Sequence, residues 1–212
     1  MQAYQDILEK LSKDYSYKCL YEIIFGNGNK VAAEYIDADN QAQHITYSEY
    51  EQRITGAACA LSAALHGRID SYIGLSVENS PDWPTLFWAI LKSGNNALFL
   101  SAKEPQKTTR HLLSEAGATA IISESNIAFA GVQTISPQDI LGAISEHPLP
   151  SAFGDKVALC TSGTTGASRV FVYDGASMGH QIYSAKGFIP LNRDLIYAHS
   201  KGPLKALIYL PF

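Results

Sequence analysis

Cysteine is scarce in this chain: Cys19, Cys59 and Cys160 are the only three in 212 residues. An odd number at wide spacing excludes a fully paired disulfide framework, offers no zinc-ligand pattern and points to a reducing compartment. Basic runs are equally absent, since no Lys/Arg stretch exceeds two residues. Sixteen basic residues against twenty acidic leave a net charge of −4. The electrostatic footprint of a nucleic-acid or membrane-surface binder is therefore missing. Long hydrophobic runs are missing too: Leu86–Leu91 is stopped by Lys92 and Ser93, far short of the ~20 residues needed to cross a bilayer. The first residues, MQAYQDILEKL, carry acids where a signal peptide carries bases, so a cytoplasmic location is expected. Disorder is excluded by what is present, 46% apolar and 10% aromatic residues, and the length suits one large domain or two small ones.

Periodicity organises the rest. Ala3, Ile7, Leu8 and Leu11 share one face of a helix over 3–12. An aromatic region rich in Gly and Asn follows, from Tyr15 to Val31. Its GNGN at 26–29 lacks the third glycine of a dinucleotide fingerprint, because Val31 stands there. The spacing predicts a hairpin turn instead, ahead of a strand VAAEYID and a second turn at Asp37–Asn40. Thr46 and Glu49 form a T-x-x-E capping box before a long helix that Gly67 ends.

Strands and helices then alternate. Tyr72–Val77, Ala97–Leu100, Thr119–Ile122 and Val132–Ile135 read as strands. Asp82–Lys92, opened by Ser80-Pro81, Gln106–Ala116 and Gln138–Glu146 read as helices. Tyr72–Val77 is apolar without alternation, as in a strand buried on both faces. The expected class is α/β, a doubly wound, mostly parallel sheet flanked by helices, with ligands at the carboxyl ends of its strands. Pro148–Gly154 reads as a linker, followed by a strand at Val157–Thr161, another at Arg169–Tyr173 and a helix near Ala176–Ala185. Apolar stretches at 195–198 and 204–210 finish the chain. The division expected is an N-terminal helix and hairpin segment, 1–45, and an α/β unit, 46–212.

Chemistry concentrates in Thr161, Ser162, Gly163, Thr164, Thr165, Gly166, Ala167, Ser168 and Arg169. Glycines let backbone N–H groups point into one concavity, hydroxyls add donors that need no titration, and Arg169 adds a planar cationic fork. The combination reads as a polyphosphate clamp; a ligand-free Ser/Thr/Gly turn is the plainer alternative. It is not a P-loop, which would need Gly at 161 and Lys at 167 where this chain has Thr and Ala.

The TSGTTGxSR pattern resembles the phosphate loop of the adenylate-forming (AMP-binding) enzymes, which include acyl-CoA synthetases, peptide-synthetase adenylation domains and luciferases. ITYSEYEQRITGAACAL is similar to the capped helix near the start of that family's large domain. VENSPDWPTLFWAILKSGNNALFL is similar to the strand, helix and strand that follow. The resemblance covers roughly residues 40–212. It implies an acid–thiol ligase in which a carboxylate attacks ATP·Mg²⁺ to give an acyl-adenylate and pyrophosphate, and a thiol, commonly coenzyme A, takes the acyl group. Thr161, Ser162, Gly163, Thr164, Thr165 and Gly166 would bind phosphate, with Arg169 where the family usually has Lys.

Two departures accompany Arg169: Ser168 replaces the usual Pro and Val170 the usual Gly. They keep two alternatives open beside the CoA ligase, a peptide-synthetase adenylation domain and a non-catalytic nucleotide- or anion-binding module. By the same resemblance the adenine-contacting stretch, the ribose-binding Asp and the catalytic Lys lie beyond Phe212. The chain alone is thus expected to be inactive and to depend on the remainder of its polypeptide, with self-association through an exposed edge near Leu204–Phe212. His180 and His199 lack a partnering carboxylate nearby in sequence. Cys160 reads as a small hydrophobe rather than a nucleophile, and Trp83 and Trp88 as packing residues.

Overall fold

The computed structural model describes residues 2–125, 127–142, 148–161 and 168–185. The stretches 195–198 and 204–210, His199 and the end of the helix expected to reach Glu146 lie outside them, as does the edge near Leu204–Phe212.

Helix α1 (Gln2–Lys13) follows the predicted periodicity. Helix α2 (Tyr17–Phe25) does not appear in the sequence reading, although Ser16 caps it by accepting the Cys19 N–H. Tyr17, Leu20, Tyr21 and Phe25 are its buried face, a helical spacing obscured by strand-favouring aromatics. The GNGN segment is consequently a helix-to-strand turn, and the hairpin turn is Asp37–Asn40, between β1 (Val31–Ile36) and β2 (Ala42–Thr46).

The Thr46 box opens α3 (Tyr47–Ala64): the Glu49 N–H donates to Thr46 Oγ1, and the Thr46 N–H donates to Glu49 at 2.7 Å. Those bonds hold the Glu49 carboxyl below its usual range. The helix after β3 (Tyr72–Ser76) starts later than the Ser-Pro signal suggests. It is α4 (Trp83–Lys92), because Ser80 Oγ ties back the Asp82 N–H and the Pro81 carbonyl accepts from Tyr50 Oη.

Next come β4 (Asn96–Phe99), α5 (Gln106–Ala116), β5 (Ala118–Ser123), β6 (Gln133–Ile135), α6 (Pro137–Leu141), β7 (Lys156–Cys160), β8 (Val170–Asp174) and α7 (Gly175–Ser184). The large sheet runs β6-β5-β3-β4-β7-β8, parallel except for β8 against β7. From β3 the chain passes through α4 to β4, then through α5 back across to β5 on the other side of β3. Right-handed crossovers in opposite directions must use opposite faces, and the core divides accordingly. Ile73 and Leu75 pack with α3 and α4, whereas Leu98 and Ile121 pack with Leu112 and Leu113 of α5. Gly74 faces α5, where a Cβ would stand 3.1 Å from Leu100, Leu113 and Ile121.

The Pro148–Gly154 segment is not a free linker. Phe153 packs 5.6 Å from Tyr21, ring to ring, and the Gly154 N–H donates to the Leu91 carbonyl at 2.7 Å. It delivers the chain to β7, where the Lys156 N–H meets Asn96 Oδ1 at 3.1 Å. Leu11, Tyr17, Leu20, Tyr21, Phe25 and Ile45 share the buried cluster of α3 and α4.

Candidate functional site

Because β7 is parallel to β4, its Cys160 end lies at the carboxyl edge of the parallel strands, where α/β sheets carry their ligands. The chain returns antiparallel as β8, so residues 161–169 connect a hairpin opening at that edge. Thr161 and Arg169 close its base, the Thr161 N–H donating to the Arg169 carbonyl at 3.1 Å, and both residues are exposed. Ser162, Gly163, Thr164, Thr165 and Gly166 lie outside the described residues.

The surroundings of the base are well defined. Glu115, at the end of α5, accepts the Val170 N–H at 3.3 Å and pairs with His111 at 3.5 Å. On the neighbouring strand, Phe99 joins Trp83 and Phe87 in an aromatic group with ring centroids 4.9–5.8 Å apart. All three are half-buried. Trp88 is buried against Tyr21 and Phe25, so both tryptophans pack as expected. His180 is partnered by Ser184 and Tyr15, away from the hairpin base on α7.

Cys160 sits beside the connection with its thiol directed to the Phe99 carbonyl at 3.4 Å. Burial first, then the negative charges of Glu104 and Glu115, push that thiol up to about 11. It is protonated at neutral pH, which suits a small apolar group and not a nucleophile. Since each unit costs tenfold in thiolate, Cys160 should react with a disulfide reagent at pH 8 at least about tenfold more slowly than an unperturbed thiol. Stopped-flow kinetics on a Cys19→Ser/Cys59→Ser background measures this; a rate equal to free cysteine would contradict it. The same shift makes folding less favourable as pH rises from the ordinary thiol range through 11, because the unfolded chain ionises first.

Among the described residues no group of three His, Cys, Asp or Glu side chains is placed to hold a metal ion. No described helix is long and apolar enough to cross a membrane.

The sequence model of a family described as AMP-binding enzyme matches residues 24–199. Phosphinothricin tripeptide synthetase PhsC of Streptomyces viridochromogenes is 28% identical over 159 residues, 69% of this chain and 14% of PhsC. Among solved structures, the Klebsiella oxytoca NpsA N-terminal subdomain superposes with a TM-score of 0.64 at 20% identity, over 76% of this chain and 42% of that one. O-succinylbenzoate coenzyme A synthetase (MenE) from Bacillus subtilis, in complex with AMP, gives 0.61 at 21%, over 77% and 42%. The chain thus spans less than half of these structures and about one-seventh of PhsC, and it shares the fold of the former. With the family's match running from α2 past α7, the chain belongs to the AMP-binding enzyme family.

Proposed function

We propose that the chain is part of an ATP-dependent enzyme that activates a carboxylate as an acyl-adenylate and passes the acyl group to a thiol. The observation that carries this reading is the 161–169 connection, opening at the carboxyl edge of a parallel sheet in a chain of this family. In the reaction a carboxylate oxygen attacks the α-phosphorus, the bond to pyrophosphate breaks, and the thiol sulfur then displaces AMP from the acyl carbon. The role we assign to Thr161, Ser162, Gly163, Thr164, Thr165, Gly166 and Arg169 is electrostatic. Backbone N–H groups, hydroxyls and the guanidinium hold the terminal phosphates as charge moves onto the leaving group. Mg²⁺ would enter as the nucleotide complex. Residues 46–212 would form the nucleotide-binding unit and 1–45 the segment packed on it.

Coenzyme A is our first choice of acceptor, in keeping with the likeness to MenE. A carrier-protein thiol is the second reading, favoured by the similarity to a tripeptide synthetase. ATP–pyrophosphate exchange over a panel of carboxylates tests the first half-reaction, using residues 1–212 and a longer polypeptide containing them. Carboxylate-dependent exchange by the longer form supports the proposal, and nucleotide binding without exchange would favour a binding module. Exchange at enzyme-like rates by residues 1–212 alone would overturn our expectation that further residues are required. Thioester formation with coenzyme A, compared with phosphopantetheinylated carrier protein, separates the two acceptors.

A further inference from the structure

The opposite edge of the sheet carries a second chemically distinct place. Lys92 ends α4 there, four residues before β4 begins. Its Nζ donates to Tyr21 Oη at 2.8 Å and lies 4.6 Å from the Tyr21 ring centre. These groups line an open cleft of about 310 Å³, with Glu22 and Glu51 on its walls and Leu149, Pro150 and Phe153 as its apolar side. Lys92 is half-buried, and among the described residues no carboxylate comes within 4.0 Å of its nitrogen. An amine in this position is reachable from solvent, and it is met by the Tyr21 hydroxyl and ring rather than by a carboxylate.

We propose that Lys92 is an acylation site, taking short acyl groups from acyl thioesters that enter this cleft. The free amine attacks the thioester carbonyl, a C–N bond forms and the C–S bond breaks. The thiolate leaves with the proton the amine gives up, so the products are an amide on Lys92 and a free thiol. Leu149, Pro150 and Phe153 provide an apolar surface for the acyl chain. The Tyr21 hydroxyl accepts an N–H from Lys92, which holds the nitrogen in place and leaves the lone pair of the free amine for attack. Burial raises its own pKa far above the ordinary phenol range, so it keeps its proton.

Burial also lowers the pKa of Lys92. Glu51 and Cys59 of α3 pull it back up, while Lys18 and Glu22 of α2 line the same cleft. The free-amine fraction at neutral pH is therefore larger than for a lysine in water, by tenfold per unit of lowering. Acylation here removes the charge over the Tyr21 ring. The inference does not rest on the proposed ligase reaction, since the cleft lies at the amino-terminal edge of the sheet and the 161–169 connection at the other.

The test is site-resolved mass spectrometry of the folded chain exposed to S-acetyl-N-acetylcysteamine between pH 7 and 10. Lys92 is expected to acetylate faster than exposed Lys30 and Lys103 at pH 7, with the gap closing towards pH 10. The advantage should vanish in urea, and Glu51→Gln should widen it. A Lys92 rate at or below those of Lys30 and Lys103 at pH 7 overturns the proposal. So does an advantage that persists in urea or is constant with pH. The wild-type comparison decides the matter even if a variant fails to fold.

Discussion

Gly154→Ala is expected to destabilise the protein by about 3 kcal/mol or more, at or beyond the upper end of the usual cost of an added core methyl. A Cβ at this position would overlap the Asn95 carbonyl oxygen and stand 2.6 Å from its carbon and 3.2 Å from Leu91 Cδ2. The obstacle is backbone, and it cannot rotate aside. Asn95 is itself pinned, its side chain accepting from the Ser71 N–H and donating to the Arg68 and Ser93 carbonyls. Gly154 cannot retreat without losing its 2.7 Å bond to the Leu91 carbonyl. At roughly 2–4 °C per kcal/mol for a chain of this size, thermal unfolding should begin about 6–12 °C lower. Gly56→Ala is the control: nothing lies within 4 Å of its Cβ position inside α3, and removing a helical glycine should stabilise by about 0.5–1 kcal/mol. A Gly154→Ala melt indistinguishable from wild type would show that 148–154 is a loose connection after all.

Arg169→Ala should lower kcat/KM for ATP by about a hundredfold or more in the polypeptide that shows pyrophosphate exchange. Charge-assisted hydrogen bonds are worth about 1.5–3 kcal/mol each, and a guanidinium fork can make two to one phosphate. The side chain is exposed at the hairpin base, so its removal leaves no cavity. The melting temperature should therefore hold while ATP use falls. Arg169→Lys tests geometry against charge: it should recover part of the loss, since lysine keeps the cation but not the fork. Unchanged saturation by ATP in Arg169→Ala would remove this residue from the phosphate site.

Much of this architecture is legible locally. The reciprocal Thr46–Glu49 contact and the unbroken apolar run of β3 depend on residues a few positions apart, so spacing suffices to find them. Helix α2 was readable in principle, since Tyr17, Leu20, Tyr21 and Phe25 follow helical periodicity behind a Ser16 cap. Aromatic density and the adjoining GNGN favour a hairpin on local propensity, and only packing against α3 and α4 selects the helix. In the 148–154 segment, composition and packing point in opposite directions. Proline, serine and glycine signal a linker by composition, but here glycine is required by close approach to Asn95.

From residues alone came the α/β alternation, the hydroxyl-and-glycine motif at 161–169 and the likeness to adenylate-forming enzymes. These are short-range properties, written in periodicity, capping and the order of residue types. Tertiary structure decided what neighbours what. The strand order β6-β5-β3-β4-β7-β8 follows from which face each crossover helix covers, and that choice rests on burying both faces of β3 at once. The same packing half-buries Cys160 and keeps its thiol protonated, and it brings Lys92 to Tyr21, 71 positions away in sequence. Contacts at such separations are set by how the whole core closes, which no local pattern encodes.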